Sequence, residues 1–191
     1  MKRELLAIRK TLKAERKLAT RYPVSGLRAA RQYKDRMDRA GADTASTPPE
    51  GKSLGFLNYD ISYLGDREFL VMIDEIFVNN LYALQTSAAA PVILDCGSNI
   101  GLFVLFIKSL HPEARITAFE PSARSFDLLS RNVSKNNVTV VSLQNCALVG
   151  APTSVDFFVS DNRAASLRAS IFRNGEQARL KLSSGRGYLN S

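Results

Sequence analysis

Two acids and two glycines are the residues of this chain best placed to do chemistry. Asp95 closes an apolar run, Val92-Ile93-Leu94, and is followed by Gly97 and Gly101. Glu120 ends a second short apolar run, 115–120, and lies 19 residues beyond Gly101. An apolar run, a glycine turn and the periodic Leu102, Phe103, Leu105, Phe106, Ile107, Leu110 read as a buried parallel strand, a tight turn and a helix packed back on the sheet. Such turns lie at the carboxyl ends of strands, where open α/β sheets bind ligands. Glycine there lets the backbone approach a ligand, and the helix start offers free N–H groups. An acid about twenty residues further on is spaced to reach ribose hydroxyls.

The pattern is not the one that cradles a pyrophosphate. Gly-x-Gly-x-x-Gly would need glycine where Asn99 and Leu102 stand. Asp95-x-Gly97-x-x-x-Gly101 with Glu120 on the next strand suits a nucleoside-bearing ligand better. Gly51-Lys52-Ser53 imitates the end of a phosphate loop, but Ser46 occupies the place of its first glycine and no strand precedes it.

Residues 92–121, "VILDCGSNIGLFVLFIKSLHPEARITAFEP", resemble the FkbM-type methyltransferases of the class I, S-adenosylmethionine-dependent superfamily. Their Asp-x-Gly-Ala-Asn-x-Gly is matched with Ser98 for Ala, and Phe-Glu-Pro is matched at 119–121. The likeness continues through "FDLLSRNVSKNN" (126–137), "CALVG" (146–150) and "SVDFFVSDNRAASL" (154–167). It implies a Rossmann-like α/β sheet in three αβα layers, S-adenosylmethionine as cofactor, and O-methylation of a sugar or secondary-metabolite hydroxyl. It also implies a cofactor site of Asp95, Gly97, Ser98, Asn99, Gly101, Glu120 and Pro121. Asn145, Cys146 and Ala147 would lie beside the adenine, where Asn145 would either hydrogen-bond the base or close a turn. The competing reading is a cofactor-binding module without turnover, or a fragment that needs a partner chain, a homo-oligomer included.

The remaining inventory excludes other chemistries. His111 is the sole histidine, sits before Pro112 and is expected to face solvent, so no His-based triad and no zinc cluster of usual spacing exists. Asp156 and Asp161 are weak candidates for a base. Cys96 and Cys146 read as free, buried thiols.

Charge is concentrated at one end. Residues 1–40 hold 13 Lys and Arg against 4 Asp and Glu, whereas the remainder is nearly neutral within a total of +8. Helices are expected at 2–20, with Leu5, Ile8, Leu12 and Ala19 as a thin apolar stripe, and at 25–39. This segment is a solvated extension or a contact for a polyanion or anionic membrane. The first charges are followed by no apolar leader core, which predicts a cytoplasmic chain.

Residues 1–45 therefore read as a basic extension and linker (the linker itself spanning 41–53), and 46–191 as the catalytic domain. The latter begins with a strand at 54–64 and a helix at 67–84 capped by Asp66. Sheet strands follow at 92–96, 115–120 and 138–144, with Ser122 capping the helix between the last two. Further strands are expected at 154–159 and 180–182. The family sheet has seven strands, of which three are placed, so the chain reads as a truncated member whose strand 92–96 would seek a neighbour from 154–159, 180–182 or a partner chain.

Overall fold

The computed structural model describes residues 2–21, 29, 31–33, 35, 51–148, 154–159 and 178–183. Most of the expected helix 25–39, the linker up to residue 50 and Asp161 lie outside them. The chain forms two compact units, Met1–Ala83 and Leu84–Ser191. The hairpin and helix that follow residue 50 belong to the first of these units.

In the first unit, α1 spans Lys2–Arg21. It buries Ala14 and Leu18 and exposes Leu12, so the contact face is rotated from the expected stripe. Arg9, Lys13, Arg16 and Lys17 lie on its exposed side. The expected strand 54–64 is an antiparallel hairpin, β1 (Lys52–Phe56) and β2 (Tyr59–Tyr63), with Phe56 opposite Tyr59. Leu57 at φ 53° and the turn-forming Asn58 reverse the chain. Helix α2, Asp66–Ile73, runs into a π-helical turn, Asp74–Val78.

Asp66 does not cap α2. Gly65 holds the cap position, and the Asp66 carboxylate instead accepts Lys52 Nζ and Tyr63 Oη, each at 2.8 Å. Nor does the helix reach residue 84. The wider π turn shifts the apolar stripe out of register, and Asn80 turns left-handed at φ 59°. Leu81 and Leu84 are exposed in consequence. Phe56 meets Phe77 edge-on at 5.3 Å and Tyr63 stacks on Phe69 at 4.2 Å. Lys17 Nζ donates to Asn79 Oδ1 at 3.2 Å, and Tyr33 Oη to Asp74 Oδ1 at 3.3 Å. Burial first, and then the Asp74 charge, push the Tyr33 phenol far up.

The second unit alternates strand and helix: β3 (Val92–Cys96), α3 (Leu102–Leu110), β4 (Arg115–Phe119), α4 (Ala123–Lys135) and β5 (Val141–Gln144). The strands are parallel in the order β3-β4-β5, with Asp95 opposite Ala118 and Ala118 opposite Leu143. This is the Rossmann-like α/β pattern. Ser122 caps α4 as expected, its Oγ accepting Ser125 N at 3.4 Å. Lys108 Nζ closes the far end of α3 by donating to the Pro112 and Ala114 carbonyls. His111 is half-buried, with Nε2 3.4 Å from the Leu84 carbonyl oxygen.

Both crossovers advance across the sheet in one direction, so right-handed connection sets α3 and α4 on the same face. The described helices of this unit thus supply one of the two outer layers of a three-layer arrangement. On the opposite face Val92 and Leu94 are 68% and 59% exposed, and Cys96 is exposed with them. Cys146 is buried, as expected; Cys96 is not, because it shares that uncovered face. Strands β6 (Ser154–Val159) and β7 (Ala178–Ser183) pair with each other, antiparallel, in a sheet of their own. Neither pairs with β3, whose neighbour among the described strands is β4.

Candidate ligand-binding site

Strands β3 and β4 end side by side, Cys96 opposite Phe119. Beyond Cys96 the chain makes a turn with three left-handed residues, Gly97 at φ 102°, Asn99 at 48° and Gly101 at 86°. Glycine adopts such angles freely, and asparagine is among the residues that tolerate them. The turn is strapped down by main-chain bonds. Gly97 N and Ser98 N both donate to the Phe119 carbonyl at 2.9 Å, and Gly101 N donates to the Ser98 carbonyl at 2.8 Å. Ser98 Oγ donates to the Asp95 carbonyl at 3.1 Å.

Glu120 is the central tie. Its Oε2 accepts Asn99 N at 2.9 Å and its Oε1 accepts Ser122 N at 2.8 Å. The side chain therefore joins the glycine turn to the start of α4, and it is 6% exposed. The expectation from sequence was an acid that reaches ribose hydroxyls. In the structure both oxygens already hold a backbone amide, and each keeps one further lone pair for a ligand hydroxyl.

Pro121 follows Glu120 at the mouth of the sheet. Asn145, just beyond β5, donates from Nδ2 to the Glu120 carbonyl at 2.7 Å and to that of Pro121 at 3.5 Å. Its Nδ2 thus closes the β4 exit. Cys146 follows it into the interior and Ala147 is half-buried. The structure brings Asp95, Gly97, Ser98, Asn99, Gly101, Glu120, Pro121 and Asn145 to one end of the sheet. The side chain of Asp156 lies outside the described residues. Two contributors were not read from sequence: Leu129 and Asn132, both on α4. Asn132 Nδ2 donates to the Ile100 carbonyl at 2.8 Å and the residue is fully buried. A polar residue inside the stripe Leu128, Leu129, Val133 is the sequence signal by which it could have been found.

Two buried acceptors at the turn, Asp95 Oδ2 and Asn99 Oδ1, have no partner. Burial pushes the Asp95 carboxyl up, with Ser98 opposing. Burial also pushes Glu120 up; the Ser122 and Asn99 amides oppose this and the Asp95 charge adds to it. Unmet acceptors beside two carboxylates call for a ligand with hydroxyl or cationic N–H donors. A Cβ placed on Gly97 would meet nothing within 4 Å, so space lies open above the turn. This donor-seeking, glycine-walled site fits the nucleoside and amino-acid ends of S-adenosylmethionine. Among the described residues no group of three or more His, Cys, Asp and Glu is set to hold a metal, and no helix is long and apolar enough to cross a membrane.

No family model matches the chain. It is 41% identical over 75 residues to Methyltransferase sdnD of Sordaria araneosa, a match covering 39% of this chain and 29% of that protein. It is 33% identical over 92 residues to the 31-O-demethyl-FK506 methyltransferase FkbM of Streptomyces tacrolimicus, covering 47% and 33%. The chain thus spans about a third of the length of these two relatives. The resemblance read from residues 92–121 is borne out: three of the relatives it matches are named methyltransferases, FkbM among them. A solved structure, M. jannaschii TYW2 in complex with AdoMet, aligns at a TM-score of 0.40 and 14% identity over 53% of this chain and 46% of that one.

The two glycines should fail differently. At Gly101 an added Cβ would lie 2.7 Å from Leu129 Cδ1, so Gly101→Ala should lower stability by about 1–3 kcal/mol in urea unfolding. Gly97→Val meets open space, so it should cost only the left-handed strain of about 1–2 kcal/mol while abolishing ligand binding by calorimetry.

The carboxylates set a pH dependence. A carboxyl raised on folding favours the folded state while protonated, and that contribution is lost as pH rises through its folded pKa. With Asp95 and Glu120 both raised, stability of the ligand-free protein should fall as pH climbs out of the usual carboxylate range. Asp95→Asn should flatten that slope in a series of urea melts; an unaltered slope would remove Asp95 as a source.

Proposed function

We propose that the protein binds S-adenosylmethionine at the 97–101 turn and is a methyltransferase acting on a hydroxyl of a small molecule, a sugar or a secondary metabolite. The observation that carries this is the pair of raised carboxylates, Asp95 and Glu120, at the ends of adjacent parallel strands around a glycine turn with unmet acceptors. The names of these relatives support it. When bound, S-adenosylmethionine supplies a methyl group already activated on a sulfonium. The chain's own residues then have to orient donor and acceptor and exclude water. Asp95 and Asn99 offer acceptors to the ligand's N–H and O–H groups. Glu120 holds the turn and presents its remaining lone pairs, and Asn145 fixes the β4 exit on which Glu120 stands.

A second reading, a binding module without turnover or a chain completed by a partner, a second copy included, is favoured by β3 having β4 as its one neighbour among the described strands. Titration calorimetry with S-adenosylhomocysteine and with NAD tests the ligand. Saturable binding of the first alone, lost in Gly97→Val, is expected; binding of NAD alone would overturn the proposal. Transfer of labelled methyl to hydroxyl acceptors, read beside the mass of the protein in solution, then separates enzyme from module.

We place the protein in the cytoplasm and assign residues 1–40 as a contact for a polyanion or anionic membrane. The exposed Arg9, Lys13, Arg16 and Lys17 of α1 support that contact. Retention on heparin or anionic vesicles should then fall steeply with salt, because counterions are released on binding. Retention indifferent to salt would leave α1 a solvated helix.

A further inference from the structure

We infer that Asn132 is a positioning residue for the ligand turn: its side-chain amide holds the Ile100 carbonyl and so fixes how Asn99 and Gly101 face the ligand. The assignment of a ligand to this turn rests on the reading above.

Asn132 occupies a place where packing alone would choose a hydrocarbon. It is fully buried, in a helix whose neighbouring inward residues are Leu128, Leu129 and Val133. A buried amide costs free energy unless it is hydrogen-bonded, so what it bonds to accounts for its presence. One of its partners is the Ile100 carbonyl, at 2.8 Å. That carbonyl needs a donor. The helical ladder of α3 begins one residue later, with Leu105 N donating to the Gly101 carbonyl at 3.1 Å. Ile100 itself is fully buried, out of reach of water.

Three residues earlier on the same face of α4, Leu129 packs against Gly101 so closely that a Cβ there would lie 2.7 Å from its Cδ1. Helix α4 therefore grips two consecutive residues of the turn, Ile100 by a hydrogen bond and Gly101 by contact. On the other side Glu120 takes Asn99 N. The same carboxylate takes Ser122 N at the head of α4. The turn is clamped between the head of α4 and the second half of the same helix, and the residue in the clamp is Asn99, whose Oδ1 is an unmet acceptor. Burial also takes Asn132 out of reach of glycosylation despite its Asn-Val-Ser sequence.

The test uses the full chain and two variants. Asn132→Leu keeps the packing and removes the donor. Amide exchange at Asn99 and Gly101 should accelerate about tenfold while α3 and α4 keep their protection, and the Kd for S-adenosylhomocysteine should rise about five- to tenfold, as expected for one hydrogen bond. Asn132→Asp keeps the shape. Its neutral carboxyl donates to the Ile100 carbonyl as the amide does, whereas its ionised form repels it. The ratio of its Kd to that of the wild type should therefore be near one at acid pH and rise with pH. Asp95 and Glu120, which face the turn, titrate in both proteins and leave the ratio to residue 132. If Asn132→Leu does not fold, the pH course of that ratio decides alone. Unchanged exchange and affinity, or a Kd ratio independent of pH, would overturn the inference. A wild type that does not bind S-adenosylhomocysteine, with exchange at the turn still responding to Asn132→Leu, would refute the cofactor reading and sustain the positioning role.

Discussion

The second unit depends on a single carboxylate. Glu120 accepts one amide from the glycine turn after β3 and one from the head of α4. Hydrogen bonds to an ionised acceptor are roughly twice as strong as neutral ones, and here two of them join three segments of chain. Asn145 in turn holds the carbonyl of Glu120 itself, so the exit of β5 steadies the residue that steadies the turn. Burial works against the arrangement by disfavouring the charge, and the nearby Asp95 adds to that penalty. The site thus carries a cost in the ligand-free protein that a donor-bearing ligand would relieve. Unsatisfied acceptors at Asp95 and Asn99 are the same cost expressed in hydrogen bonds.

Left-handed backbone is what makes those straps necessary. Three residues of a five-residue stretch, Gly97, Asn99 and Gly101, have positive φ, and the one that is not glycine carries the unmet acceptor. A turn of this kind is held by its surroundings and not by its own preference. The Phe119 carbonyl, which takes two amides, binds it to β4, Glu120 binds it from the side, and α4 supports it from beneath through Leu129 and Asn132.

The sequence was most legible where one physical rule acts alone. The apolar runs at 92–96 and 115–120, the glycine turn and the Ser122 cap are each set by a local pattern, and the structure has them where the pattern puts them, the second strand stopping one residue short at Phe119. Legibility failed where tertiary contacts choose between equal local options. Asp66 has the type and place of a helix cap, but a half-buried Lys52 ammonium and the Tyr63 hydroxyl claim it. The helix from 66 keeps its apolar spacing to Leu84 in sequence, but a π turn at 74–78 uses up the register and leaves Leu81 and Leu84 outside. Glu120 was found by its spacing, while its partners were not, because the partners are backbone amides that no sequence pattern marks. Asn132 was visible only as a polar interruption of an apolar stripe, a signal that names a buried hydrogen bond without naming its acceptor.

The apolar run of β3 poses the last constraint. A continuous Val-Ile-Leu run marks a strand buried on both faces, yet the Val92 and Leu94 side chains are the more exposed half of it. The handedness of the crossovers accounts for which half. Moving from β3 to β4 to β5 places both helices on the face of Ile93, Ile116 and Ala118, and leaves the face of Val92 and Leu94 bare. The backbone groups of β3 that do not face β4 belong to the same alternate residues. Arg115 N donates to the Pro91 carbonyl and Gly97 N to that of Phe119, so it is Val92, Leu94 and Cys96 that point N–H and C=O toward the edge opposite β4. Edge and bare face are therefore one feature. A right-handed crossover that added a parallel strand at this edge would run opposite to the other two, and would have to lay its helix over Val92 and Leu94. The reversal would fall beside Asp95 and Gly97, and a reversal of strand order is where open α/β sheets form a ligand crevice.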